Sequence, residues 1–108
     1  MSDKNPKCRL SSEEVYSLVS KIPKGGVATY GDIAKALGNP LAARAIGAIL
    51  KKNPNPVVVP CHRVVLHNGK VGGYAFGIKA KKELLQKEGL IIHNNILQDL
   101  DVIKTKLN

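Results

Sequence analysis

Proline and glycine cut this chain into short pieces, and that punctuation limits its fold more than any other feature of the sequence. Breaks fall at Pro23-Lys24-Gly25-Gly26, at Gly38-Asn39-Pro40, at Asn53-Pro54-Asn55-Pro56 and at Gly72-Gly73-Tyr74-Ala75-Phe76-Gly77, leaving room only for short elements between them. Ser11-Ser12-Glu13-Glu14 reads as a capping box, with Val15, Leu18, Val19 and Ile22 at helical spacing behind it, so a first helix is expected from about Ser12 to Lys21. Thr29 and Asp32 repeat that arrangement more weakly and open a second helix over Tyr30 to Leu37. Gly38 stops it, Asn39 can cap a third helix and Pro40 suits its first turn; this helix would run through Leu50 and end before Pro54.

After Pro56 the pattern changes. Val57-Val58-Val59 is a β-branched apolar run that suits a buried strand or extended segment. Val64-Val65-Leu66 and Val71 flank Asn68-Gly69, the strongest short hairpin signal, which predicts a small β-wing. A last helix is expected from about Lys79 to Lys87, with Leu84 and Leu85 inward and Gly89 as its stop. Ile91 and Ile92 can extend the core, and the tail from His93 suits a short amphipathic helix on Ile96, Leu97, Leu100 and Ile103. The second and third helices have the layout of a helix-turn-helix, which an ordinary helical hairpin shares. Ala42, Ala43, Ala45, Gly47 and Ala48 serve either, because small side chains permit close helix packing and also let a helix sit deep against DNA. The fold class expected is α+β: a mainly helical winged helix-turn-helix domain with a small β-wing.

A chain of 108 residues fits one domain, 1–108. Its net charge of +9 attracts a polyanion or an anionic surface, with nucleic acid the leading partner. No run approaches the roughly 18 apolar residues of a membrane span, and Met-Ser-Asp-Lys-Asn-Pro-Lys lacks the apolar region of a signal peptide. The expectation is a soluble, monomeric, intracellular protein of the cytoplasm or nucleoid, or of the nucleus in a eukaryote, without a membrane partner.

Chemistry gathers at Pro60-Cys61-His62-Arg63. A thiol reacts as thiolate and needs a base or a positive field to form it near neutral pH. His62 can be that base only if the chain turns sharply after Cys61 or a water bridges the two, since neighbouring side chains on a strand point to opposite faces. Glu88 can orient the imidazole. A buried inert cysteine beside an exposed histidine would leave the same dipeptide. Neither Cys8 nor Cys61 has zinc-ligand spacing, a single Cys8–Cys61 bridge does not suit an intracellular chain, and no metal or cofactor is expected.

Pro60-Cys61-His62-Arg63-Val64, preceded by Asn53-Pro54 and followed by Gly72-Gly73-Tyr74 and Glu88-Gly89, closely resembles the C-terminal domain of the O6-alkylguanine-DNA alkyltransferases. The resemblance covers about 12–89, including Ala28-Thr29-Tyr30-Gly31 and the run from Asn39 to Gly47; 90–108 is unassigned. It implies that Cys61 accepts an alkyl group from O6 of a damaged guanine in duplex DNA, once and irreversibly. It implies too that His62 activates the thiol through water, that Glu88 orients His62 and that Asn53 lies beneath the site. Arg44 would fill the gap left by the flipped nucleotide, and Tyr30 would crowd the DNA backbone and assist the leaving base, with Ala42, Ala43 and Arg63 also at the DNA. Tyr74, Ala75, Val64 and Lys81 would belong to the substrate pocket. Family members often have Ser where Ala75 stands and a polar residue where Gly73 stands, so hydrogen bonds to the guanine would differ here. Most also carry an N-terminal domain that has no counterpart in these 108 residues, so either a minimal natural version or a fragment is expected, with a separate N-terminal domain or repair partner left open. The competing readings are a non-enzymatic alkyltransferase-like damage-recognition protein, a branch that characteristically lacks the cysteine, and a winged-helix transcription regulator.

Overall fold

The computed structural model describes residues 11–55, 58–74, 76–105 and 107; Cys8 and Ala75 lie outside them. Helix α1 spans Ser12–Val19, with the Ser11 hydroxyl accepting from the Glu14 amide. It stops short of Lys21 and finishes in tight turns, the amides of Lys21 and Ile22 donating to the carbonyls of Leu18 and Val19. Helix α2, Tyr30–Ala36, has the complete capping box: Asp32 donates its amide to Thr29 Oγ1 at 3.0 Å and returns a carboxylate to the Thr29 amide at 3.5 Å. The arrangement expected to be weaker is thus the one with both halves made. Helix α3 spans Ala43–Lys51 rather than starting at Pro40. The chain first makes a turn in which Ala42 donates to the Asn39 carbonyl, and Pro40 stands inside that turn.

Strand β1, Ala28–Thr29, pairs in parallel with β2, Val64–Val65, through Ala28↔Val64 and Thr29↔Val65. Alternation along these short strands divides the interior in two. Ala28 and Val64 join Val15, Leu18, Val19, Ile33, Ile46 and Leu50 in a cluster under the helices. Val27 and Val65 face the other way, with Val71, Leu85, Leu90 and Leu97. Helix α4, Ile78–Lys87, closes the second cluster with Leu85 and ends at Gly89, whose φ of +94° suits a helix stop.

Three expectations change. Val58 is 80% exposed in a turn closed by the Val59 amide, which donates to the Asn55 carbonyl, while Val59 is a half-buried bridge residue packed on the helical cluster; the described part of the valine run is therefore no continuous buried strand, and Val57 lies outside the described residues. The Asn68-Gly69 turn forms, with one cross-link from the Leu66 amide to the Lys70 carbonyl, but its arms pair elsewhere. Val65 pairs with β1, while Lys70 and Val71 bond the segment around Asn95 and Ile96. The tail is a hairpin where a helix was expected: β3, Ile92–His93, pairs antiparallel with β4, Ile96–Leu97. Its two linking residues, Asn94 and Asn95, have φ of +53° and +62°, the left-handed pair that a two-residue hairpin turn requires. Only one turn of helix, α5 at Leu100–Ile103, follows. The Val27 amide then donates to the Ile103 carbonyl, and the Thr105 amide to the Val27 carbonyl. The architecture is α+β.

Candidate active site

Cys61 sits on a single 3-10 turn, Cys61–Arg63, the sharp bend that cooperation between Cys61 and His62 requires. Its thiol is free and 4% exposed. The turn is anchored from below by Asn53, whose Nδ2 donates to the Val59 carbonyl at 2.9 Å and to Cys61 Sγ at 3.3 Å. Its Oδ1 accepts from the Asn55 amide at 2.9 Å. One buried amide side chain therefore closes the 53–55 turn, holds the approach to the cysteine and places a donor against the sulfur, where it favours negative charge.

His62 is fully buried, and its Nε2 lies 3.0 Å from Glu88 Oε2. Burial pushes the Glu88 carboxyl up, but the hydrogen bonds and charges of Arg63 and His62 outweigh it and leave the group below the usual carboxylate range. Burial, helped by the charges of Arg63 and Lys81, pulls the His62 imidazole down against the upward pull of Glu88. The two partners shift consistently: an ionised carboxylate faces a neutral ring. Because the carboxylate only accepts, the proton of the ring must be on Nε2. Nδ1 is left with a free lone pair, buried and without a partner among the described residues.

A cavity of about 540 Å³ opens above the thiol, lined by Tyr30, Arg44, Gly47, Lys51, Cys61 and Tyr74 among others. Arg44, Gly47, Ala48 and Lys51 follow one another at i, i+3, i+4 and i+7, which puts them on one face of α3. Lys51 escaped the sequence reading, although its spacing from Arg44 was there to be read, and Gly47 was read only as one of the small residues of the helix. Gly47 lies beside the Tyr30 ring, where a Cβ would make an ordinary contact at 3.8 Å. Burial raises the Tyr30 phenol to about 12, with a smaller push from Cys61, so it stays a proton donor. Tyr74 is 9% exposed, its hydroxyl has no partner among the described residues, and its ring meets that of His62 edge-on at 6.5 Å between centroids.

Three expected site residues turn away from the cavity. Arg63, expected at the DNA, turns its guanidinium inward: it donates Nε and Nη2 to the Glu88 carboxylate and Nη1 to the Ile22 carbonyl, at 2.9, 2.6 and 2.8 Å. Its charge is consumed in fixing Glu88 and the end of α1. Val64 is in the core and offers the site only its backbone. Lys81 is fully buried behind the cavity wall rather than lining it. Ala42, expected at the DNA with Ala43, immediately precedes α3, and Ala43 lines the cavity. Ala75 lies outside the described residues. Among the described residues no cluster of His, Cys, Asp and Glu could hold a metal, and no helix is long and apolar enough to cross a membrane.

Fold and site together define a class of protein: a small α+β domain that holds a thiol at the floor of a cavity whose lip is one cationic helix face. Residues 11–90 match the family described as 6-O-methylguanine DNA methyltransferase, DNA binding domain, and the chain belongs to that family. It is similar to the methylated-DNA–protein-cysteine methyltransferase of Methanosarcina acetivorans, 48% identical over 77 residues that make up 71% of this chain and 49% of that protein. The chain spans about half the length, or less, of the curated relatives it matches. Among solved structures, Mycobacterium tuberculosis OGT in complex with DNA superposes with a TM-score of 0.71 at 41% identity, over 75% of this chain and 51% of that one. S. pombe ATL in complex with DNA gives 0.74 at 31% identity, over 88% of this chain and 94% of that one.

Proposed function

We propose that this protein repairs alkylated DNA by moving the alkyl group of O6-alkylguanine from a flipped-out nucleotide onto Cys61, in a single irreversible turnover. The observation that carries the proposal is the free thiol at the cavity floor, with the Asn53 amide 3.3 Å from sulfur and an unpartnered imidazole nitrogen on the next residue. The thiol proton passes through a water to His62 Nδ1, and Glu88 steadies the imidazolium that forms. The thiolate attacks the alkyl carbon, a C–S bond forms, and the C–O6 bond breaks with its electron pair going to the guanine. The guanine takes up one proton on N1, which balances the proton Cys61 gave up; the protonated Tyr30 hydroxyl at the cavity wall is the donor suited to assist it.

A base inside the stack cannot present O6 to a buried sulfur, so it must leave the duplex at an unstacking cost of a few kcal/mol. Helices α2 and α3 act as a helix-turn-helix, with the Leu66–Lys70 turn as a small wing. Exposed Arg44 fills the gap, Tyr74 forms the pocket wall, and the +9 charge draws the protein to phosphates without reading sequence. The alternative reading, damage recognition without transfer, is less well supported, because the alkyltransferase-like branch characteristically lacks the cysteine and Cys61 is present here. Incubation with duplex DNA carrying a labelled O6-methyl group separates the two. Transfer of label to the protein, abolished in a Cys61→Ser variant that still binds the duplex, supports repair; tight binding without transfer by the unaltered protein would replace it with recognition.

A further inference from the structure

Lys81 is the one fully buried lysine among the described residues, and none of their carboxylates pairs with it. Its ammonium donates instead to three neutral oxygens: the Val64 carbonyl at 2.7 Å, the Gly73 carbonyl at 3.1 Å and the Tyr30 hydroxyl at 3.4 Å. It also lies 5.6 Å from the centre of the Tyr30 ring. Burying an ammonium without a counter-charge is costly, and burial pulls this one down to about 8 even though the nearby Cys61 pushes it upward. An apolar side chain would fill the same volume at lower cost. The three partners give the charge a use. Val64 is the first residue after the Cys61–Arg63 turn; Gly73 precedes Tyr74 on the opposite wall of the cavity; Tyr30 forms a third side.

Gly73 needs that restraint. It stands between Gly72, with φ of +76°, and the turn to Gly77, with φ of +95°, and a Cβ on Gly73 would meet nothing within 4 Å. The ammonium bond to the Gly73 carbonyl and the bond from the Gly77 amide to the Tyr74 carbonyl tie this stretch of backbone from both ends.

We propose that Lys81 is a positioning residue for alkyl transfer, a buried three-way clamp that fixes the Cys61 wall, the Tyr74 wall and Tyr30 at the spacing a guanine needs. The inference rests on the transfer reading above. Because the clamp lies behind the cavity and outside the α3 face, it acts on the transfer step and leaves duplex binding in place.

The test is single-turnover transfer from O6-methylguanine duplex at increasing DNA concentration, comparing the unaltered protein with Lys81→Met and Lys81→Gln. For Lys81→Met the saturating rate should fall on the order of 10- to 100-fold, as expected when reacting groups lose their alignment. The half-saturating DNA concentration should hold within about threefold, and the reaction should still go to full amplitude, showing that the protein is folded. Lys81→Gln, whose amide keeps two donors for the two carbonyls, should recover part of the loss. Should Lys81→Met yield no folded protein, Lys81→Gln is read alone against the unaltered protein: a partial loss at saturation supports the clamp. A saturating rate equal to the unaltered protein's, or a loss confined to DNA affinity, would overturn it. Absence of transfer by the unaltered protein would overturn the transfer reading and the clamp together.

Discussion

Removing the Glu88 carboxylate should damage the fold and the chemistry at once, by amounts that the geometry sets. Three bonds end on that group: Arg63 Nε and Nη2 at 2.9 and 2.6 Å, and His62 Nε2 at 3.0 Å. In Glu88→Ala the guanidinium keeps only the Ile22 carbonyl, and Nε2–H of a fully buried ring has no acceptor. Breaking a buried pair by deleting one partner costs roughly 3–5 kcal/mol. Arg63 and Glu88 retain 16% and 11% side-chain exposure, so water can recover part of the lost solvation and the lower end, about 3 kcal/mol, applies. For a domain of this length that is a fall of roughly 12 °C or more in Tm, measured by calorimetry.

The same substitution frees the His62 ring to rotate and to move its proton to Nδ1, which destroys the base. Transfer from duplex and from free alkylated base should both slow by on the order of 100-fold. Glu88→Gln, which keeps one accepting oxygen but no charge, should fall between the two proteins in both assays. A Glu88→Ala melting point within about 2 °C of the parent would mean that the pair is worth no more than a surface ion pair, well under 1 kcal/mol. The burial argument for His62 would then be wrong.

Arg63→Ala should lower Tm by a similar route yet leave the salt dependence of DNA binding unchanged, because its charge never reaches a phosphate; a shallower salt slope would return it to the interface. Arg44→Ala should lose transfer mainly on duplex and keep it on free base, and equal losses on both would remove it from flipping. Asn53→Asp keeps the shape of the side chain but replaces the donor against Cys61 with an acceptor that carries negative charge, so transfer should slow at least about tenfold and recover in part at higher pH. Stability should fall on acidification in two steps. His62 has a lowered pKa in the folded protein, so its contribution is complete above the unfolded value of about 6.5 and is lost as pH drops below it; Glu88, also lowered, follows at and below the carboxylate range. Urea midpoints measured across that range check both, and a midpoint flat from neutral to acid pH would contradict them.

Much of the helical half was legible because its signals are local. Thr29 and Asp32 form a capping box from residues three apart, and the Leu84-Leu85 face needs only helical periodicity. The site motif was legible for a related reason: a cysteine, a histidine and an arginine side by side define one turn. Tertiary pairing was not. Val65 reads as one arm of the Asn68-Gly69 hairpin but pairs with Thr29, 36 residues earlier, and nothing local announces a parallel partner. Asn94-Asn95 did carry a hairpin signal, hidden by apolar residues at Ile96, Leu97, Leu100 and Ile103 that fit helical spacing equally well. Arg63 was placed at the DNA by resemblance, whereas its partners, Glu88 and the Ile22 carbonyl, lie 25 and 41 residues away. Lys81 could be placed near the pocket by resemblance, but its work as a buried donor becomes visible only when three distant oxygens converge on it.

The most direct test of the central claim is the mass of the intact protein, with its peptides mapped, after incubation with duplex DNA containing O6-methylguanine. A gain of one CH2 unit per protein, located on the peptide containing Cys61 and matched by restored guanine in the DNA, is the predicted result. An unchanged mass with the lesion intact, or a methyl group found on Cys8, would contradict the assignment of Cys61 as the acceptor.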